Sequence, residues 1–403
     1  MAISVLQNRR IVLGVTGGIA AYKAAALTSR LVQAGAQVDV VMTEAAQKFI
    51  APLTFQALTH RRVHTDLFHL PAGQNIPHIA LADAADLLLI APATANTLAK
   101  IAHGLADNLL TAIALATPAP LLVAPAMETD MWRHPATQAN LARLREWGVT
   151  VVGPAEGRLA SGATGTGRMV EPAAIVDAAR QVLAQGGDMA GLRVVVTAGG
   201  TREPLDPVRY ITNRSSGRMG YALAETARDR GARVTLITAA RLPLPGGVTR
   251  IEVETAAEMK EAVLEHIAGA DALVMAAAVA DYRPAVRADR KIKKGDDDLT
   301  LPLARTDDIL QAVAARRAQT GYPRCVVGFA AETDHLLQNA AQKLARKGLD
   351  FIAANDVSQA DAGFGVETNR ITWLAADGAQ EAWPLLSKVE VADRIWERVV
   401  ARL

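Results

Sequence analysis

The 403-residue chain has one cysteine, Cys325, so no intramolecular disulfide can form and the sequence fits a reducing compartment. Aromatic residues make up 4% of it, too few for the base-stacking platforms of a nucleic-acid binder. An excess of one charge is also missing. The 43 Lys and Arg against 41 Asp and Glu leave +2, which gives no electrostatic case for a nucleic-acid or membrane-surface partner. Nowhere do about 18 apolar residues run uninterrupted, as a bilayer span requires. Met1 to Arg10 lacks an apolar core of signal-peptide length. These absences predict a cytoplasmic protein with neither membrane nor nucleic-acid partners. The sequence also lacks G-x-G-x-x-G and G-x-x-x-x-G-K-[ST], which excludes a standard dinucleotide fingerprint and a Walker loop. Cys325 itself lies in the run Cys325-Val326-Val327 and reads as buried strand filler.

Half of the residues are hydrophobic, ample for large cores, and the length predicts two or three domains. In the first half, Ile11 to Val15, Val38 to Met42, Leu87 to Ile90, Leu121 to Ala124 and Val149 to Val152 read as strands. Between the first two, Ala20, Ala24, Leu27 and Leu31 mark one helix face, closed by Gly35. Gln185 to Gly191 is a short glycine-bearing linker, which divides the chain into 1–187 and 188–403. The pattern then resets, with strands at Val194 to Thr197, Val234 to Thr238, Ala272 to Met275, Cys325 to Gly328, Phe351 to Ala354 and Ile371 to Leu374. Strands alternating with helices predict two doubly wound α/β domains with mostly parallel sheets, whose ligands bind outside the carboxyl ends of the strands.

The unusual residues gather at those ends. The first half has Thr16-Gly17-Gly18, Thr43-Glu44-Ala45, Ala91 to Asn96 and Pro125 to Trp132, small polar groups suited to a mononucleotide phosphate. In the second half, Thr197 to Gly220 forms a loop far longer than a nucleotide fold needs. It carries Arg202, Glu203, Asp206, Arg209, Asn213, Arg214, Ser215 and Ser216. Loops beyond about 12–15 residues with no structure of their own are usually functional or disordered, and the embedded Leu205, Val208, Tyr210 and Ile211 argue against disorder.

The run G-G-T-R-E-P-L-D-P-V-R-Y-I-T-N-R-S-S-G-R-M-G, followed in order by A-D-Y-R-P, K-I-K-K, G-F-A-A-E-T and K-x-x-R-K-G-x-D, resembles the ligase half of bacterial bifunctional phosphopantothenoylcysteine decarboxylase/phosphopantothenate–cysteine ligases. The first half is similar to the flavin-dependent cysteine decarboxylases in G-G-I-A-A-Y-K, M-T-E-A-A, H-I-x-L-x-x-x-A-D, A-P-A-T-A-N, the P-x-M motif before Trp132 and a G-R-M segment. The resemblance implies a flavodoxin-like domain followed by a Rossmann-like one, two steps of coenzyme A biosynthesis, and a homo-oligomer, a dodecamer built from trimers and dimers.

For the first half it implies bound FMN, with Gly17, Gly18, Thr43, Thr94, Asn96 and the backbone near Met127 around it, and a catalytic His78. Loss of carbon dioxide from the cysteinyl carboxylate needs an electron sink. Oxidation of the thiol to a thioaldehyde provides one, and re-reduction makes turnover redox-neutral. A histidine titrating near neutrality can move the proton. For the second half the resemblance implies CTP with Mg2+, an acyl-cytidylate intermediate and attack by the cysteine amine. Asp281, Lys291, Phe329, Lys343 and Lys347 would surround the nucleotide, Asn213 would hold the acyl intermediate, and Lys291 would contact phosphate or the transferring carboxylate.

The chain departs from the family pattern at three places. Glu128 stands where an asparagine follows P-x-M. Ser161 stands where many relatives have a cysteine in the flap Leu159 to Met169, and Asp307 where a proline is usual. An ionised Glu128 would repel a substrate carboxylate, and a serine hydroxyl is a far weaker acid than a thiol. These residues leave a rival reading open, an active ligase with a silent or regulatory flavin domain. His60, His64 and His69 lie beside Arg61 and Arg62 without metal-site context, and read as solvated surface.

Overall fold

The computed structural model describes residues 5–68, 77–294, 299–332, 334–356 and 365–403. His69 lies outside them. The described chain divides into two compact units, one ending at Gln185 and the other running Gly186–Leu403.

The first unit is built on a five-stranded parallel sheet. From one edge it runs Gln37–Met42, Arg10–Val15, Leu87–Ala93, Leu121–Pro125 and Thr150–Val151. In chain order this is 2-1-3-4-5, the flavodoxin arrangement, with its switch point between the first and third strands. Side chains alternate across the sheet. Ile11, Leu13 and Val15 enter one core with the helix Ala21–Gln33, while Val12 faces the other with Leu98, Leu110 and Leu141. An antiparallel hairpin, Ala155–Arg158 with Thr164–Arg168, follows the last strand, and the predicted flap, Leu159 to Met169, takes in its tip and second strand.

The second unit holds an eight-stranded sheet. Its order from one edge is Thr249–Glu252, Arg233–Thr238, Arg193–Ala198, Ala272–Met275, Cys325–Glu332, Phe351–Asp356, Ile371–Ala375 and Gln380–Ala382. The first six are parallel in the Rossmann order 3-2-1-4-5-6, and the last two add antiparallel pairs. Val194 and Val196 face one core, closed by the stacked rings of Phe351, Trp373 and Trp383, while Val195 and Leu273 face the other. Cys325 is buried in the sheet as expected, and burial pushes its thiol up to about 12.

After Gln185 the predicted linker packs on the second unit: Met189 N–H donates to Arg230 O at 2.9 Å and Arg230 pairs with Asp188. Two expectations need correction. The long loop has structure of its own, because Arg202–Pro204 and Tyr210–Thr212 pair antiparallel. His64 is half-buried rather than solvated. Its N–H and C=O bond Val40 and Met42 at the sheet edge, and burial lowers its pKa, with the Asp39 charge opposing.

Candidate active sites

In the first unit the two loops at the switch point are stitched together by a side chain. Thr16, buried, donates to Pro92 O at 2.7 Å and accepts from Thr94 N–H at 3.2 Å. Thr94 in turn caps the helix Ala95–Ala102, accepting from Thr97 N–H, which leaves Asn96 exposed in that helix's first turn. Gly17 is there because nothing larger fits: a Cβ would lie 2.4 Å from Ala45 Cβ. Thr43 orders the neighbouring turn by accepting from Ala46 N–H. The predicted phosphate-side residues Gly17, Gly18, Thr43, Thr94 and Asn96 therefore come from three adjacent strand ends, and two helices begin there.

The flap docks on the fourth strand's end. Met127 N–H donates to Gly167 O at 2.9 Å, and a Cβ on Gly167 would meet Met127 O at 2.2 Å. At the flap's tip, Ser161 Oγ donates to Glu128 Oε1 at 3.1 Å. The two departures from the family pattern are thus partners. His78 opens the helix Pro77–Ala84, and its Nδ1 is buried with no protein partner. A buried orphan nitrogen, glycines where a Cβ would clash, and hydroxyl, amide and backbone donors together fit a phosphate-bearing flavin.

The second unit has a cavity of about 930 Å3 at its switch point, bordered by Asn213, Asp281, Phe329, Lys343 and Lys347. Threonines tie its floor together: Thr197 accepts from Ala277 N–H at 3.1 Å and Thr201 from Ala280 N–H at 2.9 Å. Asn213 Nδ2 donates to Ala278 O at 3.3 Å and Val279 O at 3.0 Å, which fixes its amide at the junction of the two loops. Lys343 Nζ reaches Phe329 O at 2.8 Å. Lys347 is buried and ion-paired with Asp308; burial lowers its pKa while the Asp281 charge opposes.

Other motif residues serve the loop rather than the cavity. Glu203, buried, accepts from Ala256 N–H at 2.9 Å at the start of the helix Ala256–His266. Asp206 has a side chain with 0% exposure and accepts from the N–H groups of Val208, Arg209 and Ile292 and from the Arg209 guanidinium. Burial pushes its carboxyl up, but these donors outweigh it and hold the group well below the usual carboxylate range. Lys291 does not border the cavity. It lies exposed beside Ile292, which Asp206 and Arg209 anchor. Asp307 borders the cavity, but its carboxylate pairs with Lys260 at 2.5 Å, which lowers its pKa. Sequence reasoning passed over Lys388, a buried lysine on the cavity wall at the start of the helix Lys388–Arg402. A lysine in a helix's first turn, where the dipole disfavours it, was the available signal.

Comparison with known proteins follows the same division. A model of the flavoprotein family matches residues 4–184, and a model of the DNA/pantothenate metabolism flavoprotein C-terminal domain matches 189–403. Over 400 residues the chain is 47% identical to the coenzyme A biosynthesis bifunctional protein CoaBC of Bacillus subtilis, covering 98% of each chain. It is 46% identical over 409 residues to the CoaBC of Mycobacterium tuberculosis, covering 98% of this chain and 97% of that one. A crystal structure of the C-terminal domain of a CoaBC protein is 37% identical with a TM-score of 0.45, covering 54% of this chain and 97% of its own. With both halves matched in order and nearly the whole length shared, the chain belongs to the family of bifunctional coenzyme A biosynthesis proteins, in which a phosphopantothenoylcysteine decarboxylase is joined to a phosphopantothenate–cysteine ligase.

Proposed function

We propose that residues 188–403 ligate phosphopantothenate to cysteine at the expense of CTP, and that residues 1–187 decarboxylate the product to phosphopantetheine. The observation that supports this best is that both sheets gather their polar, glycine-bearing loops at the carboxyl ends beside the switch point. In the second unit those loops enclose a cavity of nucleotide size.

In the ligase half, the carboxylate of phosphopantothenate attacks the α-phosphate of CTP, releasing pyrophosphate. The cysteine amine then attacks the acyl carbon and displaces CMP. Both steps concentrate negative charge, and Lys343 and Lys347 stand on the cavity wall to offset it. Asn213, with its Nδ2 committed to two carbonyls, offers its amide oxygen as an acceptor. Asp281 and Phe329 would take the base and sugar, and Lys291 would reach the reacting phosphate from its neighbouring loop. Among the described residues no group of three or more His, Cys, Asp or Glu could hold a metal. The carboxylates at the cavity do not form a cage for Mg2+, which is proposed only as a counter-ion arriving with the nucleotide.

In the decarboxylase half, Gly17, Gly18, Thr43, Thr94, Asn96 and the backbone near Met127 would hold FMN. When bound, FMN supplies the two-electron oxidation and re-reduction that decarboxylation of a cysteinyl carboxylate requires. His78 would exchange the thiol-side proton. Glu128 and Ser161 would close over the substrate with the flap and hold the proton needed at carbon.

The family's enzymes act on small molecules, and among the described residues no helix is long and apolar enough to cross a membrane. A cytoplasmic homo-oligomer is proposed by resemblance. Purification with added FMN followed by absorbance spectroscopy tests the first half, and pyrophosphate release that needs both CTP and phosphopantothenate tests the second. A colourless protein, or release without phosphopantothenate, would overturn the respective half.

A further inference from the structure

Arg218 borders two hollows. One is the cavity of about 930 Å3; the other, about 330 Å3, is lined by Tyr221, Glu225, Pro243 and Glu367 among others. Its guanidinium lies 2.6 Å from Glu367 Oε1 and donates to Gly365 O at 2.8 Å. The Glu367 side chain is 77% exposed and borders the smaller of these two hollows and not the larger. Beside it, the buried Lys388 ammonium donates to Val366 O and Thr368 O, and Lys388 N–H donates to Glu367 O at 2.9 Å. Two basic residues thus fix the segment from Gly365 to Thr368.

Each of the two is the first residue of a helix, Arg218–Asp229 and Lys388–Arg402. A cation is the wrong sign for that position, and a residue that breaks a local rule marks a place where something other than stability is served. Glu367 offsets the misplacement for Arg218 through their ion pair. A nucleotide polyphosphate would present denser negative charge to the same guanidinium, in the fork geometry that arginine favours.

We propose that Arg218 is a ligand for the nucleotide's phosphates that Glu367 holds in reserve. Carboxylate and polyphosphate compete for one guanidinium, and Lys388 keeps the competitor in place by gripping the carbonyls on either side of it. The inference rests on the nucleotide reading of the larger cavity. Glu367 therefore weakens binding of the triphosphate and leaves binding of the base and sugar unchanged.

The test is calorimetric titration of the full chain with CTP and with cytidine, at one fixed salt concentration. Glu367→Gln should tighten CTP about two- to five-fold, the range an exposed ion pair supports. Cytidine affinity should not move. Arg218→Gln should weaken CTP, and in the Arg218→Gln/Glu367→Gln double variant the tightening should vanish. Unchanged CTP affinity in Glu367→Gln, an equal shift for cytidine, or tightening that survives in the double variant would each overturn the proposal alone. If the unaltered chain bound no CTP, the nucleotide reading would fall and this inference with it.

Discussion

Ser161 donates its hydroxyl proton to Glu128 across 3.1 Å, joining the flap tip to the end of the fourth strand of the first unit. Ser161 has a single proton to give, and here it is committed to the carboxylate. Of the two, Glu128 is then the group able to carry a proton to a substrate, with Ser161 positioning it. Glu128→Ala should lower the decarboxylation rate about 100-fold or more, within the range of general acid–base catalysis, and Ser161→Ala about ten-fold. Both should leave CTP-dependent ligation intact. Single-turnover assays of each step check this.

Gly17→Ala should strip flavin from the protein. The new Cβ would sit 2.4 Å from Ala45 Cβ, and the loop could relieve the clash only by moving away from Thr16 and Thr94. The ratio of flavin to protein absorbance after purification should fall, with the ligase half unaffected.

Asp39 links acid stability to the first unit. Its carboxylate is buried and bonded to Arg10 Nε and Arg61 Nε, each at 2.7 Å. Burial opposes ionisation, but the two guanidinium groups outweigh it and lower the pKa. A lowered carboxyl value contributes stability that is complete above the unfolded value of about 3.9 and is lost as pH falls through the folded value. Asp39→Asn should cost about 1–3 kcal/mol near neutral pH and flatten the acid limb. Chemical denaturation across pH measures both effects.

Lys347 is drawn below the ordinary lysine value by burial. Its charge therefore begins to be lost below the ordinary value of about 10.4, and CTP affinity should fall in that window while cytidine affinity holds. Lys347→Arg should shift the fall to higher pH. Titration at several pH values decides.

Cys325 should resist thiol reagents in the native protein, because it is buried and its thiol is held near 12. It should react fully in denaturant. Counting reactive thiols before and after unfolding suffices.

The strand ends were legible because apolar runs such as Val194 to Thr197 stop at glycine and hydroxyl residues, and the doubly wound order places those stops together. Asn213 and Lys343 could be assigned to one site from their motifs. Glu203 and Asp206 could not be sorted from them, since a carboxylate that binds substrate and one that folds its own loop look alike in sequence. Burial and five hydrogen bonds on Asp206 make the difference. The pairing of Arg218 with Glu367 joins residues nearly 150 positions apart and has no local signal at all. The Ser161–Glu128 bond was hidden likewise, although each residue was visible as a departure by itself.

Mass spectrometry of products formed from phosphopantothenate, cysteine, CTP and magnesium by the purified, FMN-loaded chain reads both half-reactions at once. Phosphopantetheine with release of carbon dioxide is expected, and no product when CTP is omitted. Accumulation of phosphopantothenoylcysteine, undiminished with time, would contradict this expectation by showing that Glu128 and Ser161 do not support decarboxylation.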